Sequence, residues 1–402
     1  MKDWLKDLFQ GRPWWMNVLM VFSAYMAFVY VPWDILIKPV SQDHEVWFGI
    51  TFTGLWAKWL AIPHEVVYAG AVYGFLRRRP WMAVWGPLYL AQVAIAMAVW
   101  PILHQGGIAG VVMGLVAGLP FAALTFAFWR ARGFFLEKDR NLAERYGEWA
   151  LVTGASAGIG EAFAKALAQE GLNVVLTARR RDRLEALAVE IERDQGVQTR
   201  CVDVDLTSDK GPQALIDSVQ DLSIGILVNN AGFGYGGRFE KLETERLSEM
   251  VTLNCTVPTV LTSRFIPPML ARRRGAVIFT GSVAGRQPLP LHALYAATKG
   301  FESLLAEALY VETRGSGVDL LVLEPGTTTT EFQQVAGEIQ HAGESPETVV
   351  QVALDALGQQ SSVIVGWWNW LRAVLPARLA PRSLVAFVAR HAMEVRMPAD
   401  RR

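Results

Sequence analysis

Apolar positions follow two regimes along this chain, with the change falling near residue 132. Before it lie four apolar runs, at 14–37, 47–76, 81–103 and 107–129. Each is as long as the roughly 20 residues a helix needs to cross the hydrocarbon core of a bilayer. After residue 148 the apolar runs shorten and alternate with amphipathic stretches of helical length, the pattern of βαβ units in a parallel sheet. The strands expected are 150–153, 173–177, 198–202, 225–229, 276–281, 318–323 and 362–365. The organisation predicted is a helical membrane domain over 1–132, a linker over 133–148, a doubly wound α/β domain over 149–366 and an amphipathic tail over 367–402.

Composition sharpens the first regime. Of 402 residues 52% are hydrophobic and 15 are Trp, and Trp14, Trp15, Trp33, Trp47, Trp81, Trp100 and Trp129 cluster near the ends of the four runs. Indole rings prefer the membrane–water interface. The first run is too long for a removable signal peptide and has no convincing cleavage site. Basic residues give orientation: Lys2, Lys6 and Arg12 precede the first run, Arg77, Arg78 and Arg79 separate the second from the third, and Arg130, Arg132, Lys138 and Arg140 follow the fourth. The other two connections are poor in Lys and Arg. The positive-inside rule then puts the N-terminus and the α/β domain in the cytoplasm of a multi-pass protein. Lys58, His64 and Glu65 fall within the second run, where ionisable groups are costly and either mark a site or face other helices.

Lys and Arg balance Asp and Glu at 38 each, so charge gives no sign of a nucleic-acid partner. Cys201 and Cys255 lack metal-ligand or C-x-x-C spacing and read as buried free thiols. No metal motif is present.

The chemistry-bearing motifs all follow strands of the second regime. Thr153-Gly154-Ala155-Ser156-Ala157-Gly158-Ile159-Gly160 joins a strand to a helix. Glycines there let the backbone turn tightly and approach a pyrophosphate at the helix N-terminus. Asn229-Asn230-Ala231-Gly232 follows the fourth strand and Ser282 the fifth. Tyr295 and Lys299 stand four residues apart, on one face of a helix, and Pro325-Gly326 precedes Thr330. In this order the motifs resemble the short-chain dehydrogenase/reductase family over roughly residues 149–366. The resemblance implies a Rossmann-type doubly wound parallel sheet, here preceded by an all-α four-helix transmembrane domain, and an oxidoreductase acting on CH–OH or C=O.

It further implies catalytic roles for Ser282, Tyr295, Lys299 and Asn254. Ser282 would hydrogen-bond the substrate oxygen. Tyr295 would exchange a proton with it, its pKa pulled down from about 10 by the Lys299 ammonium. Lys299 would also hold the nicotinamide ribose, and Asn254 would support a water-linked relay. The nicotinamide cofactor falls to Gly154, Ser156, Gly158, Ile159, Gly160, Asn230, Ala231, Gly232, Pro325, Gly326 and Thr330, together with Tyr295 and Lys299. Asp205 and Leu206 match the adenine-contacting position, with Asp203 as a rival in register.

The second strand ends Thr177-Ala178-Arg179, with Arg180 and Arg181 next. No carboxylate stands there for a ribose 2′-hydroxyl, and guanidinium groups suit a 2′-phosphate. NADP(H) is therefore expected before NAD(H), with Arg179 as the phosphate ligand. The loop after Ser282 holds Pro288, Leu289, Pro290 and Leu291, and by the resemblance the segment 327–345 falls where the family places its substrate lid. Neither carries a charge cluster, so a lipophilic substrate drawn from the bilayer is expected. The tail, with Trp367, Trp368 and Trp370 among interspersed arginines, suits either a membrane interface or packing on the protein. Family members are commonly homo-oligomers, an assembly the membrane domain would constrain. The alternative, a dormant NADP-binding scaffold or sensor, would not require Ser282, Tyr295 and Lys299 together.

Overall fold

The computed structural model describes residues 13–48, 50–132, 135 and 142–402. The chain divides into two compact units, Met1–Asp139 and Arg140–Arg402. The orienting residues Lys2, Lys6, Arg12, Lys138 and Arg140 lie outside the described residues, as does half of the expected linker 133–148.

In the first unit, α1 (Trp14–Leu36) is one continuous helix with a π turn at Met26–Tyr30. It is followed by a hairpin of β1 (His44–Trp47) and β2 (Ile50–Thr53), then α2 (Leu55–Leu76), α3 (Met82–Gln105) and α4 (Gly107–Arg130). Three of these helices, α1, α3 and α4, are long and apolar enough to cross a membrane. The glycines of α4 serve close helix packing. A Cβ at Gly114 would stand 2.3 Å from the Ala98 carbonyl oxygen, and one at Gly118 2.9 Å from the Ala98 Cβ.

The second expected run, 47–76, is not one helix. Phe48 (φ 50°) and Gly54 (φ 65°) break it, and its first residues form the hairpin instead. The reason lies in the ionisable groups. Lys58 Nζ donates to the Asp34 and Lys38 carbonyls and stands 3.0 Å from Asp43, while Lys38 bridges Asp34 and Asp43 at 2.8 Å. His64 Nδ1 lies 2.5 Å from Glu45 and its ring stacks on Trp47. The segment ahead of α2 thus delivers carboxylates to Lys58 and His64 of α2, which a continuous helix would carry away.

The second unit is built on a seven-stranded, wholly parallel sheet in the order β5-β4-β3-β6-β7-β8-β9. The strands are β3 (Trp149–Thr153), β4 (Asn173–Ala178), β5 (Thr199–Asp203), β6 (Ile224–Asn229), β7 (Gly275–Thr280), β8 (Val318–Glu324) and β9 (Ser362–Ile364). All seven expected strands are present, within two residues at either end. Successive strand residues face opposite sides, and here both sides are covered. Ala150 and Val152 pack with Phe163 and Leu167 on one side, and Leu151 packs with Leu261, Phe265 and Met269 on the other. That is why the strands read as unbroken apolar runs.

Chain order reverses between β3 and β6, which opens a crevice beyond their carboxyl ends. A short helix, α5 (Leu142–Tyr146), leads into β3, and the crossing helices are α6 (Gly158–Gln169), α7 (Arg181–Gln195), α8 (Gly211–Ser218), α9 (Thr244–Val251), α10 (Val257–Ala271) and α11 (Ala293–Glu312). After β8 come α12 (Phe332–Ala336) and α13 (Pro346–Ala356), and after β9 come α14 (Trp367–Leu379) and α15 (Arg382–Glu394). Two boundaries differ from expectation. Residues 142–146 are helix, with Tyr146 buried and bonded to Asp319, rather than linker. Residues 367–402 are not a separate tail: Ala373, Val374, Val385, Ala389 and Met393 are buried, and Ile339 N donates to Arg396 O at 2.9 Å.

Candidate active site

The crevice holds a cavity of about 710 Å³, lined at one end by Gly154, Ser156, Gly158 and Asn230 and farther along by Ser282, Tyr295 and Lys299. The first end is a cradle only glycines permit. Gly154 and Gly158 have φ near +70° and +58°, and a Cβ on Gly160 would sit 2.2 Å from the Gly154 carbonyl oxygen. The backbone therefore turns directly beneath the N-terminus of α6, where unbonded N–H groups and the helix dipole favour an anion. Thr153 and Asn230 lock this turn to the next motif. Asn230 Nδ2 donates to the Thr153 carbonyl at 2.9 Å, and Thr153 Oγ1 accepts from Ala231 N at 3.0 Å. The residues present fit a dinucleotide pyrophosphate.

The expected phosphate ligand, Arg179, is exposed and does not line the cavity. Its neighbour Arg180 does, with its guanidinium 3.1 Å from Ser156 Oγ and 2.9 Å from Glu331. A one-residue difference in where β4 releases the chain separates the two, and spacing could not resolve it. Asp205 and Leu206 also lie off the cavity wall. Asp205 accepts from Thr207 N and Oγ1 in a tight turn, which holds its carboxyl below the usual range, and Leu206 is buried in the core. Ile159, Ala231, Gly232, Pro325, Gly326 and Thr330 all line the cavity.

Ser282 leaves β7 in an extended conformation, and its Oγ accepts from Ala284 N at 3.1 Å. One turn into α11, Tyr295 and Lys299 point the same way, with Nζ 5.9 Å from the centre of the Tyr295 ring. Both are buried, as is Glu302, whose carboxylate accepts from Lys299 Nζ at 2.9 Å. Lys299 also donates to the Thr280 carbonyl at 2.7 Å.

Burial raises the Tyr295 pKa, and the opposing pull of Lys299 and a hydrogen bond with Ser282 do not cancel it. The downward shift expected from the i, i+4 pair is therefore not what this arrangement gives. The Lys299 charge is already held by Glu302. Burial pulls the ammonium down, but Glu302 outweighs it, so Lys299 titrates above its ordinary value. Glu302 itself is pushed up to about 7 by burial.

Asn254 is not on the cavity wall. It sits in a π turn, Thr252–Thr256, between α9 and α10, fully buried. Its Oδ1 accepts from Phe233 N at 3.2 Å, and its Nδ2 donates to Phe233 O and Thr298 Oγ1, both at 3.0 Å. It pins the 232–233 turn to α11 beside Tyr295. π turns are frequent where a helix must present one side chain out of register.

Several cavity residues carried no signal in the sequence. His292 and Glu338 form a buried pair 3.1 Å apart on the wall, and Phe332 lies 5.3 Å from the Tyr295 ring. Glu302 reads as an ordinary helical glutamate. Cys201 and Cys255 are half-buried thiols rather than core residues, and burial pushes Cys255 up to about 11.

Residues 148–340 match the model of the short chain dehydrogenases. A very-long-chain 3-oxoacyl-CoA reductase of Homo sapiens is 32% identical over 252 residues, 62% of this chain and 80% of the relative. This chain belongs to the short-chain dehydrogenase family. Solved members share its architecture. The structure of a 7beta-hydroxysteroid dehydrogenase is 30% identical, with a TM-score of 0.58, and covers 62% of this chain and 99% of its own. A short-chain dehydrogenase from Sphingobium yanoikuyae, solved in complex with NADPH, is 32% identical with a TM-score of 0.51, over 54% of this chain and 86% of its own. The second unit is thus a short-chain dehydrogenase fold of the oxidoreductase class that binds NAD(P)(H). The first unit stands N-terminal to the family match and adds helices of membrane-crossing length.

Proposed function

We propose that this protein is a membrane-anchored, NADPH-linked reductase that interconverts a ketone and a secondary alcohol on a lipophilic substrate. The observation that carries the reading is one cavity. It runs from the glycine cradle past Ser282, Tyr295 and Lys299 to a wall of apolar side chains including Leu289, Phe332, Val335, Leu384 and Val385.

When bound, the nicotinamide supplies or accepts the hydride. The protein does the rest. Ser282 donates a hydrogen bond to the substrate oxygen, stabilising charge as it develops. Tyr295 gives that oxygen its proton in reduction and takes it back in oxidation. Lys299 has one N–H free beyond Thr280 and Glu302; that donor suits the ribose, and the ammonium stabilises the tyrosinate. Asn254 holds the frame and acts as a positioning residue.

NADPH is favoured by the carboxylate-free end of β4 and by Arg180 in the cavity wall beside Ser156. A relative solved with NADPH supports the same choice. The similar human reductase is named for 3-oxoacyl-CoA and a similar solved enzyme for a hydroxysteroid. Both names describe large apolar carbonyl or hydroxyl compounds, which suits the apolar wall. In the first unit, α2 is 22 residues long but is not among the three helices apolar enough to cross a membrane by themselves; with α2 taken as a fourth span, the basic residues Arg77–Arg79, Arg130 and Arg132 support a reductase on the cytoplasmic side.

The test is NADPH oxidation by the detergent-solubilised protein across long-chain 3-oxoacyl thioesters, steroids and ketosphingoid lipids. Turnover of a lipophilic ketone with NADPH preferred over NADH is expected. Absence of turnover with every class, in protein that binds NADPH, would refute it.

A further inference from the structure

The helices α14 and α15 face two ways. Inward, Ala373, Pro376, Val385, Ala389 and Met393 form part of the cavity wall. Outward, α15 exposes Leu384, Phe387 and Val388 at the i, i+3 and i+4 spacing of one helix side, with His391 one turn on and Val395 just past the helix end; the four apolar residues are exposed by 53 to 74%. On α14, Trp368, Leu375 and Leu379 repeat this at i, i+7 and i+11, all exposed. Trp367 and Trp370 are exposed as well. A water-soluble enzyme has no use for so large an exposed apolar patch, and such patches mark partners.

The charge on these helices says which partner. Arg372, Arg378, Arg382, Arg390 and Arg396 fall within residues 367–396, against the single acid Glu394, which pairs with Arg390 at 2.8 Å. Exposed Trp, Leu and Phe flanked by arginines match the lower acyl and headgroup layers of an anionic bilayer. A bilayer is also within reach. Only 11 residues, 131–141, separate α4 from α5 in the chain, at most about 40 Å when fully extended.

Two residues link the outer stripe to the site. Leu384 and Val388 are exposed and also line the cavity. We infer that α14 and α15 rest in the headgroup layer of an anionic membrane, and that the cavity opens between Leu384 and Val388 onto the lipid. The substrate then enters from the bilayer without crossing water. The docking half stands on the surface alone; the entry half rests on the reductase reading above.

The two halves have separate readouts. Full-length protein carrying Cys201→Ser and Cys255→Ser is spin-labelled at Phe387→Cys, or at Val189→Cys as a reference. Val189 is exposed on α7, away from this surface. In nanodiscs of phosphatidylcholine with phosphatidylglycerol, power saturation should show the label at 387 more accessible to oxygen than to a water-soluble nickel chelate, with the opposite at 189. Chelate-dominated accessibility at 387 would overturn the docking. For entry, Phe387→Glu should raise KM at least about tenfold for a long-chain ketone dissolved in the bilayer, while KM for a short water-soluble ketone and for NADPH stays unchanged. Equal KM changes for both ketones would overturn the portal. Absence of all ketone turnover would instead count against the reductase reading, and the spin-label result stands apart from it.

Discussion

Arg180→Ala should weaken NADPH binding and leave NADH binding almost unchanged. In the structure the guanidinium stands between Ser156 Oγ, at 3.1 Å, and Glu331, at 2.9 Å. A hydrogen bond to a charged group contributes about 1.5–3 kcal/mol. Arg180 keeps 40% of its side chain exposed, so solvent screening places the 2′-phosphate contact at the low end, about 1.5–2 kcal/mol. That corresponds to about a 10- to 30-fold rise in the NADPH dissociation constant.

Glu331 sharpens the test. Arg183 and Arg180 hold its carboxyl below the usual range, so it is ionised at neutral pH and competes with the phosphate for Arg180. Glu331→Gln should therefore tighten NADPH by a factor of about 1.5–5, the worth of an exposed ion pair. Calorimetric titration of the detergent-solubilised protein with NADPH and NADH reads both. Equal loss for the two nucleotides in Arg180→Ala would refute the phosphate contact. A selective loss in Arg179→Ala with none in Arg180→Ala would return the role to the exposed arginine.

Other expectations follow from particular contacts. Glu302→Gln removes a negative charge that holds the Tyr295 phenol up; reduction needs the phenol form, so the alkaline limb of its pH–rate profile should move to lower pH, and an unmoved limb would show that Glu302 does not act on Tyr295. Gly160→Ala forces a Cβ to within 2.2 Å of the Gly154 carbonyl and 2.5 Å of Asn230 Nδ2; relieving that overlap costs about 1–3 kcal/mol, read as a lower melting temperature together with weakened binding of both nucleotides. Arg286→Met leaves Glu324, fully buried and 2.7 Å from Arg286 Nε, without its cationic partner and with only the Ser303 hydroxyl. Stability should fall by about 3 kcal/mol in a denaturant titration, and the double variant with Glu324→Gln should recover much of it.

The parts of this molecule set by local rules were legible in the chain itself. The seven parallel strands follow from apolar runs between helical stretches. The glycine turn at 154–160 follows from what a backbone must do beneath a helix N-terminus, and Tyr295 and Lys299 from helical spacing. What stayed hidden depends on partners distant in sequence. The hairpin at 44–53 exists because Asp43 and Glu45 must meet Lys58 and His64, yet composition alone makes 47–76 one apolar run. Nothing local marks Glu302 for burial, which comes from the packing of α11 against β7, and His292 meets Glu338 only through the folded segment after β8. Arg179 and Arg180 differ by one position at a strand end, where the chain turns from sheet to helix and spacing has least to say. The last two helices were ambiguous because they pack on the domain with one side and expose apolar residues on the other.

In the proposed mechanism the Tyr295 hydroxyl moves the proton at a site whose cofactor binding does not depend on it. Tyr295→Phe keeps the buried ring against Phe332 and removes only that hydroxyl. NADPH oxidation with a lipophilic ketone should fall by at least about a hundredfold, the scale of general acid catalysis, while the calorimetric dissociation constant for NADPH stays within about twofold. Undiminished turnover in that variant would contradict the account.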